Sequence, residues 1–174
     1  MIRLILGGDK SGKSDFGLQR LYEGKTPSIL LATGQAQDLA FGQQILDHRL
    51  ARIPDIPVKE TGIELPRALE KAILDYQSIL IDSLDFWVFA CSEHWDAALE
   101  AFLKSLSLVP DDIQVTLVSC EAGLGPIAAS SQVRQFVRRL GALNQAVASV
   151  SDEVCLMVAG IPMYVKRAQN VVLS

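Results

Sequence analysis

Eight residues near the start of the chain, Gly7-Gly8-Asp9-Lys10-Ser11-Gly12-Lys13-Ser14, have the spacing G-x-x-x-x-G-K-S. They follow the apolar run Ile2–Leu6 and lead into Asp15-Phe16-Gly17-Leu18, which gives strand, loop and helix in the order a phosphate-binding loop requires. The chemistry accounts for the spacing. Glycines let the backbone curl until successive N–H groups point at phosphate oxygens, and the helix that follows adds its partial positive end. Lys13 is placed to reach the outer phosphates, and Ser14 to hold a magnesium ion. The first expectation is a protein that binds a nucleoside triphosphate.

Other residues could act on it. Ser78-Ile79-Leu80-Ile81-Asp82 is an apolar stretch ending in a carboxylate, the pattern of a second magnesium contact, although strands ending in a turn aspartate are common. His48 stands beside Arg49 and one turn before Arg52. Taken alone it reads as an exposed helical histidine. A neutral imidazole can also attack phosphorus and form a phosphoramidate, with the two guanidiniums holding phosphate oxygens. His94 has no such neighbours; with Cys91 it would supply two ligands on a helix, too few for a metal site. Ser119-Cys120-Glu121-Ala122-Gly123-Leu124-Gly125-Pro126 reads as a shaped loop after a strand, either a substrate loop or a plain crossover. Arg134, Arg138 and Arg139 read as a solvated helix face. The chain has no N-K-x-D segment, so a regulatory GTPase is not expected.

The elements that must position these groups alternate. Strands are predicted over Ile2–Leu6, Ser28–Thr33, Ile56–Glu60, Ser78–Ser83, Gln114–Ser119 and Glu153–Ala159. Helices are predicted from Lys13 or Ser14 to Tyr22, and over Leu39–Ile53, Leu65–Tyr76, Phe86–Leu106 with a break in the middle, and Gln132–Ser149. Apolar strands alternating with helices predict an α/β, three-layer P-loop nucleotide-binding fold, its mainly parallel sheet flanked by helices. Residues 1–174 read as one domain. Ligands are expected at the carboxyl ends of the strands, where Gly7, Thr33, Asp82 and Cys120 fall. A net charge of −4 without a basic run argues against nucleic acid as partner. Three scattered cysteines without a C-x-x-C pair argue against a disulfide framework or a cysteine zinc site. No signal peptide or membrane span is read, since Asp85 interrupts the most apolar stretch, so a cytoplasmic protein is expected.

In order, the motifs resemble the bifunctional adenosylcobinamide kinase/adenosylcobinamide-phosphate guanylyltransferase family of cobalamin synthesis. The matching pieces are Gly7-Gly8-x-x-Ser11-Gly12-Lys13-Ser14, Ala32-Thr33-Gly34-Gln35, Ile45-x-x-His48-Arg49-x-x-Arg52, Glu60 and Ile81-Asp82-Ser83-Leu84 with Trp87. Later come Val118-Ser119-x-Glu121-x-Gly123-x-Gly125, Arg134-x-Phe136, Gly141-x-Leu143-Asn144-Gln145, Asp152-Glu153-Val154 and Val158-Ala159-Gly160-Ile161-Pro162. The resemblance implies two reactions. One phosphorylates the aminopropanol hydroxyl of adenosylcobinamide with ATP or GTP. The other moves GMP from GTP onto that phosphate through a guanylylated histidine, here His48, giving adenosylcobinamide-GDP. It implies that Thr33, Gly34, Gln35, the run Arg49-Leu50-Ala51-Arg52, Glu60 and Asp82 contact GTP, that Ser14 and Asp82 hold Mg2+, and that the protein is a homotrimer. Four segments depart from the family pattern. Asp38-Leu39-Ala40 lacks the usual acidic pair and Met, and Ile56-Pro57-Val58-Lys59-Glu60 keeps only the Glu of Trp-x-Thr-x-Glu. Asp85 replaces Thr, and Cys120 replaces Asn, which removes an amide from the proposed substrate loop. These departures motivate two alternatives: a kinase for another hydroxyl, or a nucleotide-binding protein without catalysis.

Overall fold

The computed structural model describes residues 1–34, 56–125 and 129–167. The predicted helix over 39–53, with Gln35, His48, Arg49, Leu50, Ala51 and Arg52, lies outside the described residues, as does Pro126. In chain order the elements are β1 (Ile2–Gly7), α1 (Lys13–Tyr22), β2 (Ser28–Ala32), β3 (Val58–Glu60), a 3-10 turn (Gly62–Glu64), α2 (Leu65–Asp75), β4 (Ser78–Asp82), α3 (Leu84–Ala90), α4 (Trp95–Ser107), β5 (Gln114–Cys120), α5 (Ser131–Val150), β6 (Glu153–Val158) and β7 (Ile161–Lys166). The strands form one sheet in the order β3-β2-β4-β5-β1-β6-β7, parallel except for the antiparallel β6–β7 pair.

Alternate strand residues enter opposite layers. Leu4, Leu31, Ile79, Ile81, Val115 and Leu117 pack with buried residues of α2, α3, α4 and α5 on one face. Ile5, Leu30, Leu80 and Val118 pack with Phe16, Leu18 and Leu21 of α1 on the other. This is why the strands read as continuous apolar runs rather than as an alternating pattern. Helix α1 lies close to the sheet because Gly17 carries no side chain: a Cβ there would come within 2.9 Å of Val118 and 3.1 Å of Leu80. A charged pair between Arg3 and Glu153 joins β1 to β6 at their point of register.

Three details differ from the sequence reading. The expected break in the stretch over 86–106 is present, but Cys91 and His94 lie in the turn that makes it rather than facing one another on a helix. Residue Ala159 is not in β6 but in a turn, and a seventh strand follows it. Ala159 and Gly160 both have positive φ (52° and 80°), and Val158 pairs with Ile161, so this is a two-residue hairpin of the I′ kind. Asn-Gly is the familiar signal for that turn; Ala-Gly hides it.

The described helices on the larger face are anchored by aromatic packing. Trp87 is fully buried, its ring centroid 4.9 Å from Phe102 and 6.1 Å from Trp95. With Leu84 and Val88, also buried, it fixes the rotation of α3 about its axis. Trp87→Ala is expected to cost about 3–5 kcal/mol of folding stability, the range for deleting a large buried side chain. Denaturant unfolding of variant and parent checks this through the midpoint at unchanged slope.

Candidate active site

Loop and strand ends meet on one edge of the sheet. Register sets Gly7 of β1 opposite Cys120 of β5, and Ala32 of β2 opposite Asp82 of β4. Since β5 lies between β1 and β4, Gly7 and Asp82 are two strand spacings apart, about 10 Å. Across that distance a hydroxyl at the start of α1 and a carboxylate at the end of β4 can face the same phosphates.

The loop itself is held in a curled shape by its backbone. Lys10 and Gly12 have left-handed φ values of 53° and 89°, and such reversals turn consecutive N–H groups toward a common centre. Gly7 is required by space: a Cβ would lie 2.3 Å from the Ser11 hydroxyl. The Ser11 hydroxyl is buried without a hydrogen-bond partner among the described residues. Its carbonyl accepts a bond from Gly160 N at 3.0 Å, and a Cβ on Gly12 would lie 3.3 Å from Gly160 Cα, so the β6–β7 turn buttresses the loop from behind. Lys13 Nζ donates to the Gly8 carbonyl at 3.1 Å, which keeps the ammonium within the loop. Ser14 is half-buried in the first turn of α1, while Gly8, Asp9 and Lys10 are exposed.

The neighbouring strand ends are tied together. Thr33, buried, donates its N–H to the Asp82 carbonyl at 3.2 Å and its hydroxyl to the Ser83 carbonyl. Thr61 donates its N–H to the Ala32 carbonyl at 2.8 Å. Glu60 ends β3, four strand spacings from Gly7, roughly 19 Å along the same edge. The structure thus sets the glycine loop, Thr33 and Asp82 along one edge of the sheet and puts Glu60 at the far end of that edge.

Beyond β5, the chain turns on a side chain that sequence reasoning gave no role. Asn144 of α5 is buried; its amide oxygen accepts from the Ser119 hydroxyl at 2.6 Å, and its amide nitrogen donates to the Cys120 carbonyl at 3.0 Å. A polar residue on the buried stripe of a long helix was the available signal. Glu121 turns back to accept from Gly123 N at 3.0 Å, and its own N–H donates to the Gly7 carbonyl at 3.0 Å. Burial pushes the Cys120 thiol up from its usual pKa; the negative charge of Asp85 pushes the same way, and the Lys13 ammonium opposes it. The thiol is therefore protonated at neutral pH. Cys91 is buried and is pushed up to about 11 by burial, and His94 beside it is exposed, so neither is equipped for chemistry.

A cavity of about 1150 Å³ opens beside this edge, its lining including Thr33, Gly34, Asp85, Phe86, Phe89 and Phe136. Arg139 also lines it, donating to the Ser92 carbonyl at 2.8 Å and lying 5.9 Å from the Trp95 ring centre, rather than sitting on a wholly solvated face as the sequence suggests. No group of three or more His, Cys, Asp or Glu side chains among the described residues could cage a metal. Ser14 and Asp82 instead offer one hydroxyl and one carboxylate, a donor set suited to magnesium held mainly by phosphates and water.

Together the glycine loop, its lysine and the strand-end carboxylate define a P-loop nucleotide-binding protein with a parallel sheet. The fold agrees: a KaiC-like protein from the archaeon Pyrococcus horikoshii superposes with a TM-score of 0.53 at 15% identity, covering 89% of this chain and 69% of its own. The chain belongs to the family described as cobinamide kinase / cobinamide phosphate guanyltransferase, whose profile matches residues 3–165. It is 33% identical to the bifunctional adenosylcobalamin biosynthesis protein CobP of Pseudomonas aeruginosa, over 94% of this chain and 96% of that one. It is 28% identical to the corresponding CobU protein of Salmonella typhimurium, over 95% of this chain and all of the other. It is accordingly an enzyme of cobalamin biosynthesis, of the kinase and guanylyltransferase class.

Asn144→Ala is expected to strand the Ser119 hydroxyl and Cys120 carbonyl, with a stability loss of about 1–3 kcal/mol. Thermal unfolding measures the loss. Faster amide hydrogen exchange over 119–123 in the variant would locate it at the loop.

Proposed function

We propose that the chain performs both transfers of its family at this edge of the sheet. ATP or GTP phosphorylates the aminopropanol hydroxyl of adenosylcobinamide. GTP then gives GMP to adenosylcobinamide phosphate, yielding adenosylcobinamide-GDP and pyrophosphate. The observation that carries the reading is the curled loop with the Lys13 ammonium inside it, opening beside a cavity walled by aromatic rings. A corrinoid is a large ring with apolar faces and amide edges; an aromatic-walled cavity with an arginine on its wall fits that chemistry.

In this reading the backbone of Gly7, Gly8, Asp9, Lys10, Ser11 and Gly12 cradles the phosphates, and Lys13 offsets the charge that develops on the transferred group. Thr33, Gly34, Gln35, Arg49, Leu50, Ala51, Arg52, Glu60 and Asp82 form the remaining GTP contacts. Ser14 and Asp82 would hold Mg2+, which supplies charge neutralisation on the phosphates when bound. His48 attacks the α-phosphorus of GTP; a P–N bond forms and pyrophosphate leaves. An oxygen of adenosylcobinamide phosphate then attacks the same phosphorus and the P–N bond breaks, freeing the imidazole. The reading includes a homotrimer without nucleic acid as partner, and a cytoplasmic site of action. No helix among the described residues is long and apolar enough to cross a membrane.

The test uses GTP labelled at the α-phosphate. Acid-labile label is expected on the parent protein and not on His48→Ala, and label on both would assign the nucleophile elsewhere. Lys13→Ala is expected to slow both transfers by about 10²–10³-fold, the usual effect of removing one charge-stabilising donor. A parent protein that phosphorylates the alcohol but never takes label would reduce the function to that of a kinase.

A further inference from the structure

We infer that Asp85 is the base that accepts the proton of the acceptor hydroxyl in the phosphoryl transfer; the inference rests on the kinase reading above. Asp85 lies in the first turn of α3, whose rotation is fixed by the buried Leu84, Trp87 and Val88. With those three in the core, Asp85 is turned to the cavity, which it lines together with Thr33 and Gly34. Its Oδ1 is shielded from solvent and has no hydrogen-bond partner among the described residues. A carboxylate oxygen in that state is costly, and native proteins keep such groups where a bound molecule supplies the missing donor. A hydroxyl is such a donor.

Electrostatics place the carboxylate on the correct side. The Cys120 thiol, at the end of β5 opposite Gly7, feels both the negative charge of Asp85 and the positive charge of Lys13. Asp85 and Lys13 therefore both lie within electrostatic reach of the end of β5, which separates the glycine loop from β4. Among the described residues the titratable and charged groups around it are Asp82 on β4, the exposed Asp9 in the glycine loop, Lys13 on α1, Cys120 and Glu121 at the end of β5 and Arg139 on α5. None of the others suits the task. Cys120 stays protonated because burial raises its pKa. Glu121 is engaged with Gly123 N. Asp82, at the end of β4, is the carboxylate that the reading above assigns to Mg2+, and Glu60 lies at the far end of the sheet edge.

In the step, the alcohol oxygen forms a bond to the γ-phosphorus as its proton passes to Asp85. The bond from that phosphorus to the bridging oxygen breaks, and the nucleoside diphosphate leaves with the electron pair. Asp85 then returns the proton to water. The carboxylate must be ionised to accept the proton.

Steady-state phosphorylation of adenosylcobinamide by γ-labelled GTP, from mildly acidic to mildly alkaline pH, tests this in the parent, Asp85→Asn and Asp85→Glu proteins. Asp85→Asn is expected to lower kcat by about 10²–10⁴-fold and to keep the KM for GTP near the parent value. Asp85→Glu is expected to restore part of kcat. An undiminished kcat in Asp85→Asn, with parent turnover intact, overturns this inference alone. A joint loss of kcat and GTP affinity would make Asp85 a nucleotide contact and also overturns it. A parent protein that leaves the corrinoid alcohol untouched overturns the kinase reading, and the inference with it.

Discussion

The burial of β1 between β5 and β6 is the constraint on which the rest depends. Leu4 and Ile5 are completely inaccessible, one in each layer. A strand buried on both faces cannot shift register without exposing one set or the other. Its last residue, Gly7, is therefore fixed beside Cys120 and Met157. The loop that follows inherits that fixed origin, so its N–H groups converge without further adjustment when phosphate arrives. Preorganisation of this kind is what makes donors effective toward developing charge.

The site is assembled as a row of strand ends, and the strand order assigns the work. Inserting β5 between β1 and β4 separates the loop from Asp82 and places Cys120 in the gap. Asn144 then holds the end of β5 from the helix layer through two hydrogen bonds. The cavity lies on the same side as the aromatic cluster around Trp87, so the packing that stabilises α3 also aims its outward residues at the site. A change in the core at Trp87 and a change at Asp85 are linked through one short helix.

Two of the four departures from the pattern of the family the chain resembles, Asp85 and Cys120, lie at the ends of neighbouring segments beside β4 and β5. The loop residues that handle phosphate are intact in type and spacing. Asp85 brings a carboxylate to the lining of the cavity, and Cys120 a protonated thiol to the end of β5.

Much of this was legible in the chain alone, because the signals are local. The loop Gly7–Ser14 needs small residues and a lysine at set spacings, and the strands β1, β2, β4 and β5 are short apolar runs that a doubly covered sheet demands. Their carboxyl ends therefore marked the site before any coordinates. The β6–β7 hairpin escaped notice because Ala159 adopts a positive φ that tertiary contacts with the loop, not local preference, enforce. The role of Asn144 and the Oδ1 of Asp85, unpartnered among the described residues, were likewise invisible, since a residue's hydrogen-bond partners across 24 or more positions depend on which faces the fold brings together. Sequence determined which chemistry the strand ends carry; only the packing of helices on the sheet decided which of those groups share a cavity, because that is set by the burial of residues far from the site.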